Sequence, residues 1–350
     1  MDLLRWRATH HPEKQIYSFL NDGGVEKDQL TLAALEYHAR AIAALLQEHW
    51  KSGERALLIY PSGLEFIATF FGCLYGAIIA VPVYPPSSAR ADLNLARFRA
   101  IANDAQASII LTTTSLSSRV EGLLALAPEL QHTRVLITSD IPIDEAEQWQ
   151  QPAITGDTLA FLQYTSGSTG MPKGVMVSHS NLLYNSFLIA QTCHQPADAH
   201  AVTWLPLYHD LGLIGGILQP LYSGYESTIL SPTAFLQRPI RWLEAISRMR
   251  ATISGGPNFA YDLCARKITA EQKETSFVLK GLVLERSEKE TFPPVSSISS
   301  TSIDNGAALS SFLTAVSLSL GAFAASGPFG KSVSIFICPF RSRLISSSGD

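Results

Sequence analysis

A run of hydroxyl residues and glycines closed by a lysine is the part of the chain best suited to chemistry. It reads Tyr-Thr-Ser-Gly-Ser-Thr-Gly-Met-Pro-Lys-Gly over residues 164–174 and directly follows a predicted strand. Glycines let a backbone approach a ligand closely, and successive N–H groups in such a turn form a nest for anions. The hydroxyls add donors, and Lys173 adds a mobile positive charge. The residues therefore predict a loop that wraps a polyphosphate.

Two common motifs do not fit this loop. A Walker A loop has four residues between its glycines and Ser or Thr after its Lys, whereas Gly167 and Gly170 are three apart and Lys173 precedes Gly174. A nucleophile elbow would require glycine at Ser166. The alternative interpretation of a Ser/Gly turn is a plain flexible loop.

The pair His209-Asp210 is a second candidate. A histidine just before a helix can face a ligand, and we expect Asp210 to cap that helix. The alternative is a capping pair with a solvated imidazole. No third ligand stands nearby in the sequence, so no metal site is predicted.

A third candidate is the segment Ser-Gly-Gly-Pro at 254–257, which ends a predicted strand and opens a helix. Gly255 and Gly256 would let the backbone approach a ligand, and Pro257 suits the first position of a helix. The alternative is an ordinary strand–helix connection. Arg238 and Arg241, spaced three apart beside Trp242, are assigned a structural role on a surface helix.

Strands and helices alternate along the chain and must position these residues. Residues 31–50 show helical spacing of apolar residues, with Thr31 as the predicted N-cap. The predicted strands are 56–60, 80–83, 108–113, 134–139, 159–166, 174–179, 202–205, 227–231 and 251–256. Helical segments separate most of them, which predicts an α/β fold with largely parallel sheets.

The uncharged stretch 66–83 is long enough to resemble a membrane span. Gly72, Gly76 and Pro82 interrupt it, so we predict a buried helix followed by a buried strand. The 350 residues carry 46% hydrophobic residues, 16% charged residues and a net charge of −4. No basic excess exists for nucleic acid or an anionic membrane. The four cysteines form no CxxC pair, and with no signal-like N-terminus we expect a cytoplasmic protein.

The motif YTSGSTGMPKGVMVSHSNL resembles the phosphate-loop motif of adenylate-forming enzymes, the AMP-dependent acid ligases. WLPLYHDLGLIGGILQPLY at 204–222 resembles the next motif of that family. The blocks at 81–114 and 231–247 resemble one subgroup, the fatty acyl-AMP ligases. The resemblance covers about residues 1–275 and implies part of the large N-terminal domain of such an enzyme, without the small C-terminal domain.

The resemblance implies the reaction of a fatty acid with ATP to give acyl-AMP and pyrophosphate, with Mg2+ bridging phosphate oxygens and an acyl carrier protein as a possible acceptor. His209 would approach the reacting carboxylate. The residues that would hold the β- and γ-phosphates are Thr165, Ser166, Gly167, Ser168, Thr169, Gly170 and Lys173. The residues that would border the acyl pocket are Asp210, Gly212, Gly255, Gly256 and Pro257.

The resemblance ends near residue 275. After Lys273 the sequence contains no counterpart of the family's adenine segment, of its Mg2+ carboxylate, of its ribose Asp or of its lysine-bearing C-terminal domain. Residues 292–350 instead hold 16 serines in 59 positions. We therefore predict an incomplete AMP-binding domain over 1–275, a divergent Ser-rich tail over 276–350 and no activity for this chain alone. The alternatives are a fragment of an acyl-CoA ligase or amino-acid adenylation domain, a non-catalytic nucleotide- or acyl-binding module, and a product that misfolds.

Overall fold

The computed structural model describes residues 1–21, 27–85, 91–165, 172–193, 195, 198–275 and 334–335. The strands are β1 Gln15–Leu20, β2 Lys27–Thr31, β3 Arg55–Ile59, β4 Ile79–Pro82, β5 Ile109–Thr112, β6 Arg134–Ile137, β7 Leu159–Thr165, β8 Lys173–Ser178, β9 His200–Thr203, β10 Glu226–Leu230, β11 Ile253–Ser254 and β12 Ser334–Ile335. The helices are α1 Asp2–His10, α2 Leu32–His49, α3 Leu64–Tyr75, α4 Ala91–Ala105, α5 Ser117–Ala125, α6 His179–Cys193, α7 Asp210–Leu213, α8 Gln219–Ser223, α9 Pro232–Gln237, α10 Ile240–Arg248, α11 Asn258–Lys267 and α12 Ala270–Thr275.

The strands form two six-stranded sheets. The first sheet has the order β12-β11-β9-β10-β1-β2, and the second has the order β6-β5-β3-β4-β7-β8. Strand pairs are parallel except for β1 with β2 and β7 with β8. The prediction of an α/β fold with largely parallel sheets is confirmed, and β12 is the part of the Ser-rich segment that the structure describes.

Two helices lie between the sheets and form the centre of the core. One cluster of buried side chains joins α2 and α3 to strands of both sheets, for example Tyr17 of β1 and Leu58 of β3. The Thr31 hydroxyl accepts a hydrogen bond from the N–H of Ala34 at 3.2 Å, as predicted for an N-cap. Gly72 lets α3 approach α2, because a Cβ there would stand 2.6 Å from Ile42 Cγ2.

The stretch 66–83 forms most of α3 and all of β4, and nearly all of its residues are buried inside the protein. The prediction of a helix followed by a strand is therefore confirmed. Within the residues that the structure describes, we find no helix of the length and hydropathy needed to cross a membrane.

Candidate functional site

The two strands that flank the predicted phosphate loop form an antiparallel pair. Thr165 ends β7 with an exposed side chain and stands opposite Lys173, the first residue of β8. The loop residues Ser166, Gly167, Ser168, Thr169 and Gly170 lie outside the described residues, so their predicted role stays a prediction. The pairing brings the two ends of the loop together, with one hydroxyl and one cation side by side.

Tyr164 fixes this hairpin against the neighbouring helix α4. Its hydroxyl donates to Asp104 Oδ2 at 2.5 Å, and its ring covers Gly174 on the paired strand. A Cβ on Gly174 would stand 2.9 Å from the Tyr164 ring carbon Cζ. The glycine after Lys173 thus makes room for the tyrosine that supports the base of the loop.

The carboxyl ends of both sheets meet beside this hairpin. In the first sheet β9 and β11 are parallel neighbours, so the segments that follow them, 204–209 and 255–257, leave the same edge. The Gln163 amide of β7 donates to the Tyr208 carbonyl at 3.1 Å and links the second sheet to the first. A small cavity at this junction is lined by Tyr60, Pro61, Ser62, Phe66, Val83, Leu207 and Tyr208. Ligands of α/β sheets commonly bind at such an edge.

His209 and Asp210 form an ion pair at the start of α7. The prediction that Asp210 caps this helix is wrong in detail. His209 occupies the N-cap position, and its side chain makes no capping hydrogen bond. Asp210 is the first helical residue, and its carboxylate accepts the N–H of Leu211 at 2.7 Å. The Asp210 carboxylate contacts the His209 imidazole and the adjacent N–H of Leu211, and these contacts take the place of a capping bond to a backbone N–H of the next turn.

The pair shifts both ionisation equilibria toward the charged forms. The hydrogen bond with Asp210 raises the pKa of His209 above its ordinary value, against burial and the positive charge of Arg97. Burial disfavours the charged form of Asp210, but its bonds with His209 and Leu211 outweigh burial and hold the pKa of that carboxyl below its usual value. The His209 side chain is 65% exposed, so the pair matters for the charge state of the imidazole more than for stability.

We expect Asp210→Asn to lower the pKa of His209, since the anion that favours the imidazolium is removed while burial and the charge of Arg97 remain. In the unchanged chain, stabilisation from the raised pKa is fully present below the ordinary His value and is lost as pH rises through the raised one. In the variant this dependence should be lost, and it should reverse if burial and Arg97 hold the pKa of His209 below its ordinary value. An NMR titration of the His209 ring protons measures the shift, with the exposed Asp144→Asn as control. An unchanged His209 pKa in Asp210→Asn would contradict the assignment.

Gly212 is required by the packing of α7 against the segment that precedes it. A Cβ at Gly212 would stand 2.1 Å from the Pro206 carbonyl oxygen. The helix continues as a π-helical turn over Ile214–Leu218 before α8, a feature common at functional sites. Gly216 faces Thr203, and a Cβ there would be 3.0 Å from Thr203 Cγ2. These contacts give Gly212 a clear structural role, and its place beside an acyl chain stays a prediction.

The segment 254–257 ends β11 and precedes α11, as predicted. Pro257 differs from the prediction because it occupies the N-cap position of α11, with an extended ψ of 159°, and is not the first helical residue. Gly256 approaches Trp204, since a Cβ there would be 3.1 Å from Trp204 Cζ2. Gly255 connects Gly256 to β11. The contact of Gly255, Gly256 and Pro257 with an acyl chain stays a prediction.

Arg238 and Arg241 do not share one helix face. Arg238 is the exposed C-cap residue of α9, and Arg241 belongs to α10, which begins at Ile240. Trp242 is buried, and its Nε1 donates to Ser254 Oγ at 2.9 Å. The structural role expected for this region rests on Trp242 more than on the arginines.

Sequence reasoning missed two residues that support the site, Gln163 and Asp104. Gln163 stands out in hindsight as an amide inside an otherwise apolar run before the loop. Asp104 gives no such signal, because its partner Tyr164 is 60 residues away. Among the residues with described positions, no group of three or more His, Cys, Asp or Glu side chains could hold a metal ion.

The chain resembles known proteins in its sequence and in its fold. The sequence profile of the AMP-binding enzyme family matches residues 4–326. The chain is 47% identical over 274 residues to the medium-chain-fatty-acid–[acyl-carrier-protein] ligase JamA of Moorena producens, covering 78% of this chain and 46% of JamA. It is 36% identical over 272 residues to the long-chain-fatty-acid–AMP ligase FadD32 of Mycolicibacterium smegmatis, covering 75% of this chain and 42% of FadD32.

Among solved structures, a fatty acyl-adenylate ligase from Legionella pneumophila in complex with acyl adenylate and pyrophosphate matches with a TM-score of 0.72. It is 41% identical, and the match covers 79% of this chain and 47% of that one. The chain thus spans about half the length of the relatives it matches.

Proposed function

The chain belongs to the AMP-binding enzyme family, and on that premise we propose that it carries the phosphate-binding and carboxylate-facing part of a fatty-acid adenylation site. The observation that carries the proposal is the pairing of Thr165 with Lys173, the strand residues on either side of the loop. The hydrogen bond from Gln163 to Tyr208 also supports the proposal, because it holds this strand pair beside the segment that bears His209.

In the proposed reaction a fatty-acid carboxylate oxygen forms a bond to the α-phosphorus of ATP. The bond from that phosphorus to the bridging oxygen breaks, and pyrophosphate leaves with the electron pair. Lys173 and the hydroxyl of Thr165 would bind the departing phosphates, which need charge neutralisation and orientation more than covalent help. His209, whose charged form the contact with Asp210 favours, would orient the incoming carboxylate. ATP enters as a substrate together with its Mg2+, and the described residues contain no carboxylate cluster of their own for that ion.

The acyl acceptor and the compartment complete the proposal. An acyl carrier protein is the acceptor we favour, as the name of the Moorena relative states for that protein. A cytoplasmic location agrees with the buried thiols of Cys73 and Cys264, which form no disulfide, because such thiols suit a reducing compartment.

Lys173→Ala tests the phosphate site directly. We expect it to weaken the binding of magnesium pyrophosphate by about 1–3 kcal/mol, the value of a hydrogen bond to a charged group. Calorimetric titration of the full chain gives the affinity. Lys51→Ala removes the same charge from the exposed turn before β3 and should leave the affinity unchanged. Equal affinities of Lys173→Ala and the unchanged chain would mean that the loop is only a turn.

A further inference from the structure

We propose that Gln163 is a positioning residue that fixes His209 relative to the strand entering the phosphate loop. The inference deepens the proposed function and rests on it for the role of His209. The hydrogen bond from Gln163 Nε2 to the Tyr208 carbonyl spans 45 residues of sequence. It joins the two parts of the site that the chain supplies separately, the β7 end on one sheet and the segment 204–209 on the other.

Side chains alternate at the end of β7, so this strand is fixed from both faces. Gln163 reaches Tyr208 on one face, and Tyr164 reaches Asp104 of α4 on the other. Thr165, the next residue, begins the loop. Any shift of β7 caused by an occupied loop would therefore act on the Tyr208 carbonyl through a single intervening amide.

The Tyr208 carbonyl belongs to the same peptide unit as the N–H of His209. That N–H donates to the Pro206 carbonyl at 3.1 Å, and the His209 carbonyl accepts the N–H of Leu213 at 2.8 Å. The turn before α7 is thus held at both ends by backbone hydrogen bonds. Gln163 supplies the contact that ties this turn to the second sheet, and moving the Tyr208 carbonyl would move the imidazole.

Stability alone does not favour glutamine at this position. Gln163 is only 7% exposed, and its Oε1 is buried with no hydrogen-bond partner in the described part of the chain. An unpartnered buried acceptor costs a desolvation penalty that a methionine of similar length would avoid. A carbonyl only accepts, so the amide must direct its N–H2 toward Tyr208. The glutamine thus supplies a directional hydrogen bond to Tyr208, and it leaves one buried acceptor without a partner in the described part of the chain.

The test compares Gln163→Met with Thr133→Val in the full chain without any ligand. Hydrogen exchange of the peptide spanning 204–213, read by mass spectrometry, should be about fivefold to tenfold faster in Gln163→Met, the factor expected from losing one net hydrogen bond. Exchange in β3 and β5 should stay unchanged. The His209 ring signal, assigned with His209→Gln, should move in Gln163→Met. Thr133→Val, which removes another buried side-chain hydrogen bond, to the Ala107 carbonyl before β5, should change neither readout.

Two results would overturn the inference. One is exchange over 204–213 in Gln163→Met that equals the unchanged chain. The other is faster exchange throughout β3 and β5 as well, which would mean a general loss of stability. Both readouts need no nucleotide, so they decide the role of Gln163 even if the proposed function fails.

A titration with magnesium pyrophosphate, followed by the His209 ring signal, separates the claim about Gln163 from the proposed function. If the unchanged chain binds it, the His209 signal should respond in that chain and in Thr133→Val, and the response should be lost in Gln163→Met. A full response in Gln163→Met would refute the coupling. No binding to the unchanged chain would refute the proposed function, and the ligand-free comparison would still decide the role of Gln163.

Discussion

Pyrophosphate–ATP exchange by this 350-residue chain, supplied with a fatty acid and Mg2+, is expected to be at least about 10²–10³-fold slower than exchange by an intact fatty acyl-adenylate ligase. The reason is electrostatic. Removing one preorganised contact to developing charge costs about that factor. From the sequence we predict that several contacts of the family's site are missing after Lys273, in a stretch that the family profile still matches as far as residue 326.

Radiolabelled pyrophosphate exchange measures this rate, with the Legionella enzyme as the reference. The match to that enzyme covers 47% of its length. The ratio of the two exchange rates therefore shows how much of the adenylation activity the shared part retains without the rest of the enzyme. Exchange at a rate close to the reference would show that this chain already contains the groups needed for turnover, and it would refute the expectation.

Gly212→Ala should destabilise the chain by about 3 kcal/mol, the upper part of the range for overpacking a tight site. The added methyl would stand 2.1 Å from the Pro206 carbonyl oxygen and 2.7 Å from its carbon. Both atoms are backbone, so no side chain can rotate away, and the turn that bears His209 must move.

Gly215→Ala is the matched control on the π-helical turn. Gly215 is exposed, and a Cβ there would meet no atom within 4 Å beyond its chain neighbours and the backbone of its own helix. Alanine in a helical segment should be neutral or stabilising by about 0.5–1 kcal/mol. Urea unfolding of both variants gives the free energies of unfolding. Equal values for the two variants would contradict the close approach of α7 to Pro206.

Features that depend on neighbouring residues were predicted well. The helix α2 combines apolar periodicity with a hydroxyl N-cap at Thr31, and both signals are local. The helix–strand interpretation of 66–83 rested on glycines and a proline inside the stretch, and it was confirmed. Helix starts were less exact: Asp210 and Pro257 each lie one position from where they were expected. The Asp210 carboxylate contacts His209 and the adjacent N–H of Leu211, and Pro257 has an extended backbone with a ψ of 159°.

The pairing of strands that are far apart in the sequence could not be predicted from such local signals. β1 pairs with β10 about 200 residues later, as in Tyr17 opposite Ser227, and no periodicity specifies which strands become neighbours. The same holds for the candidate site. The sequence marked Lys173 and His209 as chemically suited, but the hydrogen bond of Gln163 that brings their segments together follows from the packing of two sheets.

The proposed function depends above all on the binding of ATP through its polyphosphate. Calorimetric titration of the unchanged chain with magnesium pyrophosphate, MgATP and AMP decides whether this binding occurs. We expect pyrophosphate and ATP to bind with similar affinity and to compete, because the phosphate loop is the part of the nucleotide site that this sequence matches. AMP should show no measurable binding at concentrations that saturate pyrophosphate. Binding of AMP as tight as that of ATP, or no binding of pyrophosphate at all, would refute the proposed phosphate site.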